Sequence, residues 1–86
     1  NIYNGAFDNA LGSAILIDVA RQAMQAPRPK RSQLFLAVTA EEKGLLGADY
    51  FARWPSVPKA GIVANVNMDM PVMLTDLRDV IPIGVE

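Results

Sequence analysis

The chain has 86 residues, of which 51% are hydrophobic, and its nine acidic side chains nearly balance its eight basic ones. This composition excludes a disordered segment, and the charge balance argues against nucleic acid or an anionic membrane surface as the main partner. The chain contains no cysteine and no histidine, so it supplies no thiolate or imidazole ligand, and no apolar run approaches the roughly 20 residues that cross a bilayer.

The first regular element that the sequence predicts is a helix over residues 10–26. Apolar residues cover more than half of its circumference, which is typical of a helix covered on most faces. Asp8 or Asn9 is placed to cap its N-terminus, and Pro27 and Pro29 end it. Three basic residues form the solvated connector that follows: Arg28, Lys30 and Arg31.

Two continuous apolar runs predict strands, at residues 33–39 and 60–67. Apolar residues without alternation are typical of strands that are covered on both faces, as in a parallel sheet. A second helix is predicted between them, over residues 44–54, because bulky apolar residues recur there at helical spacing. Residues 77–84 fit either a short helix or a strand, since Pro82 disfavours a central strand.

This order of elements predicts the α/β class. A helix between two strands implies a right-handed crossover and a parallel pair. We therefore expect a mainly parallel central sheet flanked by helices, with the aromatic residues of the second helix in the core. These residues are Tyr50, Phe51 and Trp54.

Four carboxylates are predicted to meet at one edge of this sheet. Glu41 and Glu42 follow the first predicted strand, Asp69 follows the second, and Asp8 opens the first helix. Because like charges raise one another's pKa, such a cluster needs a cation, and divalent metal ions are the usual compensation. Two ions that share a bridging carboxylate form a known hydrolytic arrangement, with a further carboxylate as general base.

Taken singly, each of these residues has a simpler interpretation. Glu41 and Glu42 suit the acidic start of a solvated helix, and Asp8 suits a plain N-cap. Asp69 suits a polar turn ahead of Pro71. Their joint occurrence, in three segments, favours a site over three coincidences.

The three segments resemble the M28 family of zinc metallopeptidases. They are residues 4–12 (NGAFDNALG), 40–47 (AEEKGLLG) and 66–70 (VNMDM). The second segment is the specific one, and the other two are weak alone. The resemblance covers nearly the whole chain, and it implies a three-layer zinc-exopeptidase domain with a co-catalytic pair of zinc ions and a peptide substrate.

The resemblance also implies a role for each carboxylate. Asp8 corresponds to the residue that bridges both zinc ions, and Glu41 to the general base that takes a proton from the activated water. Glu42 and Asp69 correspond to terminal ligands, one on each zinc. The family's two histidine ligands have no counterpart among these residues. We therefore expect residues 1–86 to be one partial peptidase domain, its N- and C-terminal parts missing.

Two rival functions are compatible with the same resemblance: a non-catalytic receptor-type domain and a glutaminyl-cyclase-like enzyme. The four carboxylates argue against the receptor, because a binding domain has no use for a repulsive acidic cluster, and the glutamate pair fits peptidases better than cyclases. For the 86 residues alone we expect no activity and, through uncovered apolar faces, self-association. With oxygen ligands only, the 86 residues alone should bind zinc weakly or not at all, and harder ions would compete. The resemblance suggests a secreted, periplasmic or cell-envelope location.

Overall fold

The computed structural model of the protein describes residues 2–71 and 76. Its regular elements are two α-helices, α1 (Leu11–Gln25) and α2 (Leu46–Arg53), and three short turns. The turns are Ala6–Ala10, Glu41–Lys43 and Lys59–Gly61. Each α-helix packs on the turn that precedes it, and among the described elements α1 and α2 make no contact with each other.

Helix α1 confirms the first predicted helix and is one residue shorter at each end. Its alanine, leucine and glutamine residues have high helix propensity. The helix ends because Ala26 takes an extended conformation, with ψ of 161°, ahead of Pro27. On its surface, the Asp18 carboxylate accepts hydrogen bonds from Arg21 at 2.6 Å and from Gln22 at 2.5 Å.

Helix α2 confirms the second predicted helix over a shorter span. It ends at Arg53, two residues before Pro55, and the rings of Tyr50 and Trp54 lie 5.4 Å apart at 40° on one of its faces. The prediction that these aromatic residues belong to a core is wrong for the described chain, because both are 63% exposed.

The predicted α/β architecture with a parallel sheet is also wrong. Residues 2–71 and 76 form helices, turns and irregular segments, with no strand and no sheet among them. A strand is held by hydrogen bonds to a neighbouring strand, and residues 33–39 and 60–67 lack that ladder. Their apolar side chains are accordingly uncovered: Leu34 is 52% exposed and Val66 is 86% exposed. The predicted element at residues 77–84 lies outside the described residues.

The described part of the chain has no hydrophobic core. Gly12 is its one buried residue, and no apolar side chain in residues 2–71 reaches the same degree of burial. The apolar face of α1, predicted to be covered, is open at Ile17 and Met24. None of the helices in the described ranges is long and apolar enough to span a membrane.

The start of α2 lies directly on the preceding backbone, and a glycine makes this approach possible. The Gly47 N–H donates to the Thr39 carbonyl at 3.0 Å. A Cβ atom added to Gly47 would meet the Thr39 carbonyl oxygen and would lie 2.7 Å from the Thr39 nitrogen. Because both obstacles are backbone atoms, neither can rotate away. Gly47 therefore sets the position of α2 relative to the chain that leads into Glu41.

We predict that Gly47→Ala lowers the free energy of unfolding by about 1–3 kcal/mol, since it forces an overpacked contact. The matched control is Gly61→Ala, because a Cβ atom there meets nothing within 4 Å. Urea unfolding of both variants, made from the complete gene, measures the difference. Equal stability of the two variants would contradict the close approach.

Candidate metal centre

Asp8 lies in a wide turn that leads into α1. The turn Ala6–Ala10 is closed by a hydrogen bond from the Ala10 N–H to the Gly5 carbonyl at 2.8 Å. Asp8 itself has non-helical dihedrals (φ −116°, ψ 97°), and the peptide bond that joins it to Asn9 is cis. The Asp8 side chain is exposed, so its carboxylate is available to a ligand.

Glu41 and Glu42 lie in a tight turn whose flanking residues have left-handed backbone conformations. Ala40 has φ of 57° and Leu45 has φ of 59°, in a region that costs residues with a side chain roughly 1–2 kcal/mol each. Such conformations persist where the surrounding structure fixes them, and they are enriched at functional sites. We call residues 40–45 the glutamate turn.

Hydrogen bonds hold the glutamate turn in this conformation. The Glu41 carbonyl accepts from the Gly44 N–H at 2.9 Å and from the Leu45 N–H at 2.8 Å. The Ala40 carbonyl accepts from the Leu46 N–H at 3.2 Å, which ties the turn to α2. The backbone that carries both glutamates is therefore fixed on either side, while their side chains are exposed.

Asp69 is brought to the start of α1 by one side chain. Asn9 Nδ2 donates to the Met68 carbonyl at 2.9 Å, across 59 residues of sequence. On the other side of Asp69, the Met70 N–H donates to Asn9 Oδ1 at 3.4 Å. Since Asp8 is the neighbour of Asn9, these bonds place Asp69 beside the Asp8 turn.

The pKa of Glu42 is raised because the other three carboxylates lie near it. The negative charge of Asp8 raises the pKa of Glu42 above its ordinary value, and the charge of Glu41 and a hydrogen bond with Asp8 add to the rise. Desolvation and the charge of Asp69 contribute least. The structure therefore brings the other three predicted carboxylates within electrostatic reach of Glu42.

Carboxylates that interact electrostatically do not necessarily surround one metal ion. Within residues 2–71 and 76, no group of three or more acidic side chains is arranged to hold a single metal ion. The charges interact, but the side-chain oxygens are not gathered around one point.

Two aspartates on the helices have a cationic partner. Asp18 pairs with Arg21 at 2.6 Å, and Asp49 pairs with Arg53 at 2.9 Å, both on exposed helix surfaces. The pKa of Asp18 is lowered, by its hydrogen bond to Arg21 and then by that to Gln22. In the described part of the chain no ion pair involves the four clustered carboxylates. The four carboxylates thus carry like charge that no ion pair among the described residues compensates.

Asn9 is the residue whose contribution the sequence analysis missed. Its Oδ1 atom accepts from the Gly12 N–H at 3.0 Å, which is the bond expected of a helix cap. The cap accounts for only part of the side chain, because its amide also binds the backbone around Asp69. Asparagine followed three residues later by a glycine signals the local cap, but the distant partner leaves no local pattern.

The sequence of the chain matches a known protein family. Residues 1–81 match the model of Peptidase family M28, so the chain belongs to that family, and the resemblance seen in the sequence is confirmed.

Three curated relatives of the chain are named probable zinc metalloproteases. The chain is 36% identical over 66 residues to a probable zinc metalloprotease of Pyrenophora tritici-repentis and, over the same length, to one of Pyrenophora teres f. teres. It is 35% identical over 66 residues to one of Leptosphaeria maculans. The matched region is 77% of this chain and only 14–15% of each relative. No solved structure matches the chain.

We predict that Glu42→Gln stabilises the metal-free protein at neutral pH. Because the folded protein binds the Glu42 proton more tightly than the unfolded chain, stability falls as the pH rises above the ordinary value of 4.5 and through the raised pKa. Glutamine removes this loss, so the variant and the wild type should converge in acid and diverge toward pH 7. Urea unfolding in a chelating buffer at both pH values measures the difference.

Asp18→Asn is the control of opposite sign. The lowered pKa of Asp18 gives a contribution that is present above the ordinary value of 3.8 and is lost as the pH falls. This variant should therefore be no more stable than the wild type at pH 7. A Glu42→Gln variant that loses stability at pH 7 in chelator would contradict the cluster.

Proposed function

We propose that the protein carrying this chain is a zinc-dependent exopeptidase of the aminopeptidase type, and that the chain supplies the carboxylates of its active site. The match of residues 1–81 to Peptidase family M28 carries the proposal, and the raised pKa of Glu42 supports it, because its causes include Asp8, Glu41 and Asp69. Membership of Peptidase family M28 and the names of the fungal relatives support zinc as the metal and a peptide as the substrate.

The carboxylates would form part of a zinc donor set that nitrogen ligands complete. Carboxylate oxygens are zinc ligands, and attraction to a dication would offset the repulsion among four carboxylates that lack an ion pair. Asp8 would bridge two ions, and Glu42 and Asp69 would each hold one of them. Bound zinc supplies Lewis acidity toward the scissile carbonyl and lowers the pKa of water.

Nitrogen ligands would have to come from outside this sequence, because it contains no histidine. We therefore propose that residues 1–86 are one central part of a longer peptidase domain. The small share of each relative that the chain matches is consistent with this proposal.

The two adjacent glutamates have different positions, and this difference supports different roles. The pKa of Glu42 responds to all three other carboxylates, as expected of a ligand at the centre of the cluster. The family resemblance assigns the general base to Glu41, which is exposed, so its carboxylate is open to a water molecule. Glu41 would take a proton from the attacking water and deliver it to the leaving amine.

We predict that Glu41→Gln and Glu42→Gln separate these roles in the protein made from the complete gene. Glu41→Gln should lower kcat by about 10²–10⁴-fold with zinc content unchanged, because it removes only the proton acceptor. Glu42→Gln should lose zinc. Peptidase assays with an aminoacyl chromogenic substrate, together with metal analysis, measure both.

Asp49→Asn is the matched control, because it removes an acidic charge on the exposed face of α2, where Asp49 is paired with Arg53. It should leave kcat and zinc content unchanged. The assignment of roles would be wrong if Glu41→Gln lost zinc, or if Glu42→Gln kept its zinc and lost only turnover.

For the isolated 86 residues we predict self-association and no peptidase activity. Large apolar side chains are exposed along the described part of the chain, including Ile2, Met24 and Val66 at about nine-tenths of their surface, which favours association in water. Activity should be absent because the chain lacks the nitrogen ligands. Light scattering and the chromogenic assay test both parts, and a monodisperse monomer or measurable turnover would contradict the corresponding part.

A further inference from the structure

We propose that Asn9 is a positioning residue, which fixes Asp69 relative to Asp8 and thereby sets the spacing of two carboxylates in the cluster. The proposal rests on the proposed function in assigning both carboxylates to a metal. It concerns a side chain that ligates nothing itself.

The first support is a pair of hydrogen bonds between the Asn9 amide and the backbone on either side of Asp69, which we call the bracket. Its Nδ2 atom donates to the carbonyl of Met68, and its Oδ1 atom accepts from the N–H of Met70. Both sequence neighbours of Asp69 are therefore bound to the sequence neighbour of Asp8. Among the described residues, these are the only side-chain hydrogen bonds that join distant parts of the chain.

The second support is that both ends of the amide are used, which requires asparagine. The Oδ1 atom has two lone pairs, and it accepts from Gly12 as well as from Met70. An aspartate could accept both bonds, but it could not donate to the Met68 carbonyl, and alanine could do neither. The amide is thereby anchored to α1 while it holds the Met68–Met70 backbone.

The third support is the absence of a side chain at Gly12. Gly12 is buried, and a Cβ atom there would meet Asn9 Oδ1 and would lie 2.7 Å from Asn9 Nδ2. The amide therefore lies flat on the Gly12 backbone. A methyl group at this position would push the amide away without removing it, which provides an independent way to break the bracket.

These contacts matter for metal binding because a ligand must be held at the right separation from its partners. Groups that orient metal ligands without touching the metal typically account for 10–100-fold in affinity. Asp69 follows a long irregular segment, residues 62–68, which forms no regular element of its own. The hydrogen bonds of Asn9 fix the C-terminal end of this segment.

The test compares Asn9→Ala and Gly12→Ala with the control Gly61→Ala, in the protein made from the complete gene. Zinc affinity is measured by competition with a chromogenic chelator, and backbone amide exchange is measured over residues 68–70. Asn9→Ala and Gly12→Ala should each weaken zinc binding by about 10–100-fold and accelerate exchange at Met70. Gly61→Ala should match the wild type in both measurements.

The two readouts separate this inference from the proposed function. Unchanged exchange at Met70 in Asn9→Ala overturns the bracket, and faster exchange with unchanged zinc affinity overturns its role in positioning. If Asn9→Ala does not fold, Gly12→Ala decides by the same criteria. A wild-type protein that binds no zinc overturns the proposed function, and exchange alone then decides whether the bracket exists.

Discussion

The hydrogen bond from the Asn9 amide to the Met68 carbonyl joins the two ends of the described chain. It spans 59 residues at 2.9 Å, and it brings the backbone around Asp69 to the turn that carries Asp8. The described residues offer no core that could do this instead, because Gly12 alone among them is buried. The candidate site thus depends on polar contacts of the backbone and one amide, and not on hydrophobic packing.

A second constraint acts on the glutamates. Left-handed conformations at Ala40 and Leu45 reverse the chain around Glu41 and Glu42, and the close approach of Gly47 to Thr39 seats α2 behind them. Both features involve residues close in sequence, and together they fix the backbone of Glu41 and Glu42 without the support of a β-sheet. Their side chains stay exposed, and the pKa of Glu42 is raised because the charges of Asp8 and Glu41 lie near it.

The sequence predicted what is encoded locally. The helices at Leu11–Gln25 and Leu46–Arg53 follow from spacing, propensity and the prolines beyond them, because helical hydrogen bonds join residues four apart. The four carboxylates were identified through motifs, and the structure brings them near one another. Their roles as base and ligands are still predictions.

What could not be predicted depends on distant partners. The run at residues 33–39 is apolar enough for a buried strand, but apolar character does not specify a neighbour, and the described chain provides none. The same reasoning placed Trp54 in a core that the described residues do not form. Asp8 or Asn9 was predicted to cap the helix, and the second role of Asn9 was missed because its partner at Met68 is far away in sequence.

The most direct test of the account is the position of zinc in the protein made from the complete gene. Anomalous scattering at the zinc edge, from crystals grown with zinc, locates the ions without reference to activity. We expect two zinc ions about 3.5–4 Å apart, with Asp8 between them. The distance from zinc to the oxygen atoms of Glu42 and Asp69 should be about 2.0–2.2 Å. Zinc that lies elsewhere, or a cluster whose carboxylates bind no zinc at saturating concentration, would contradict it.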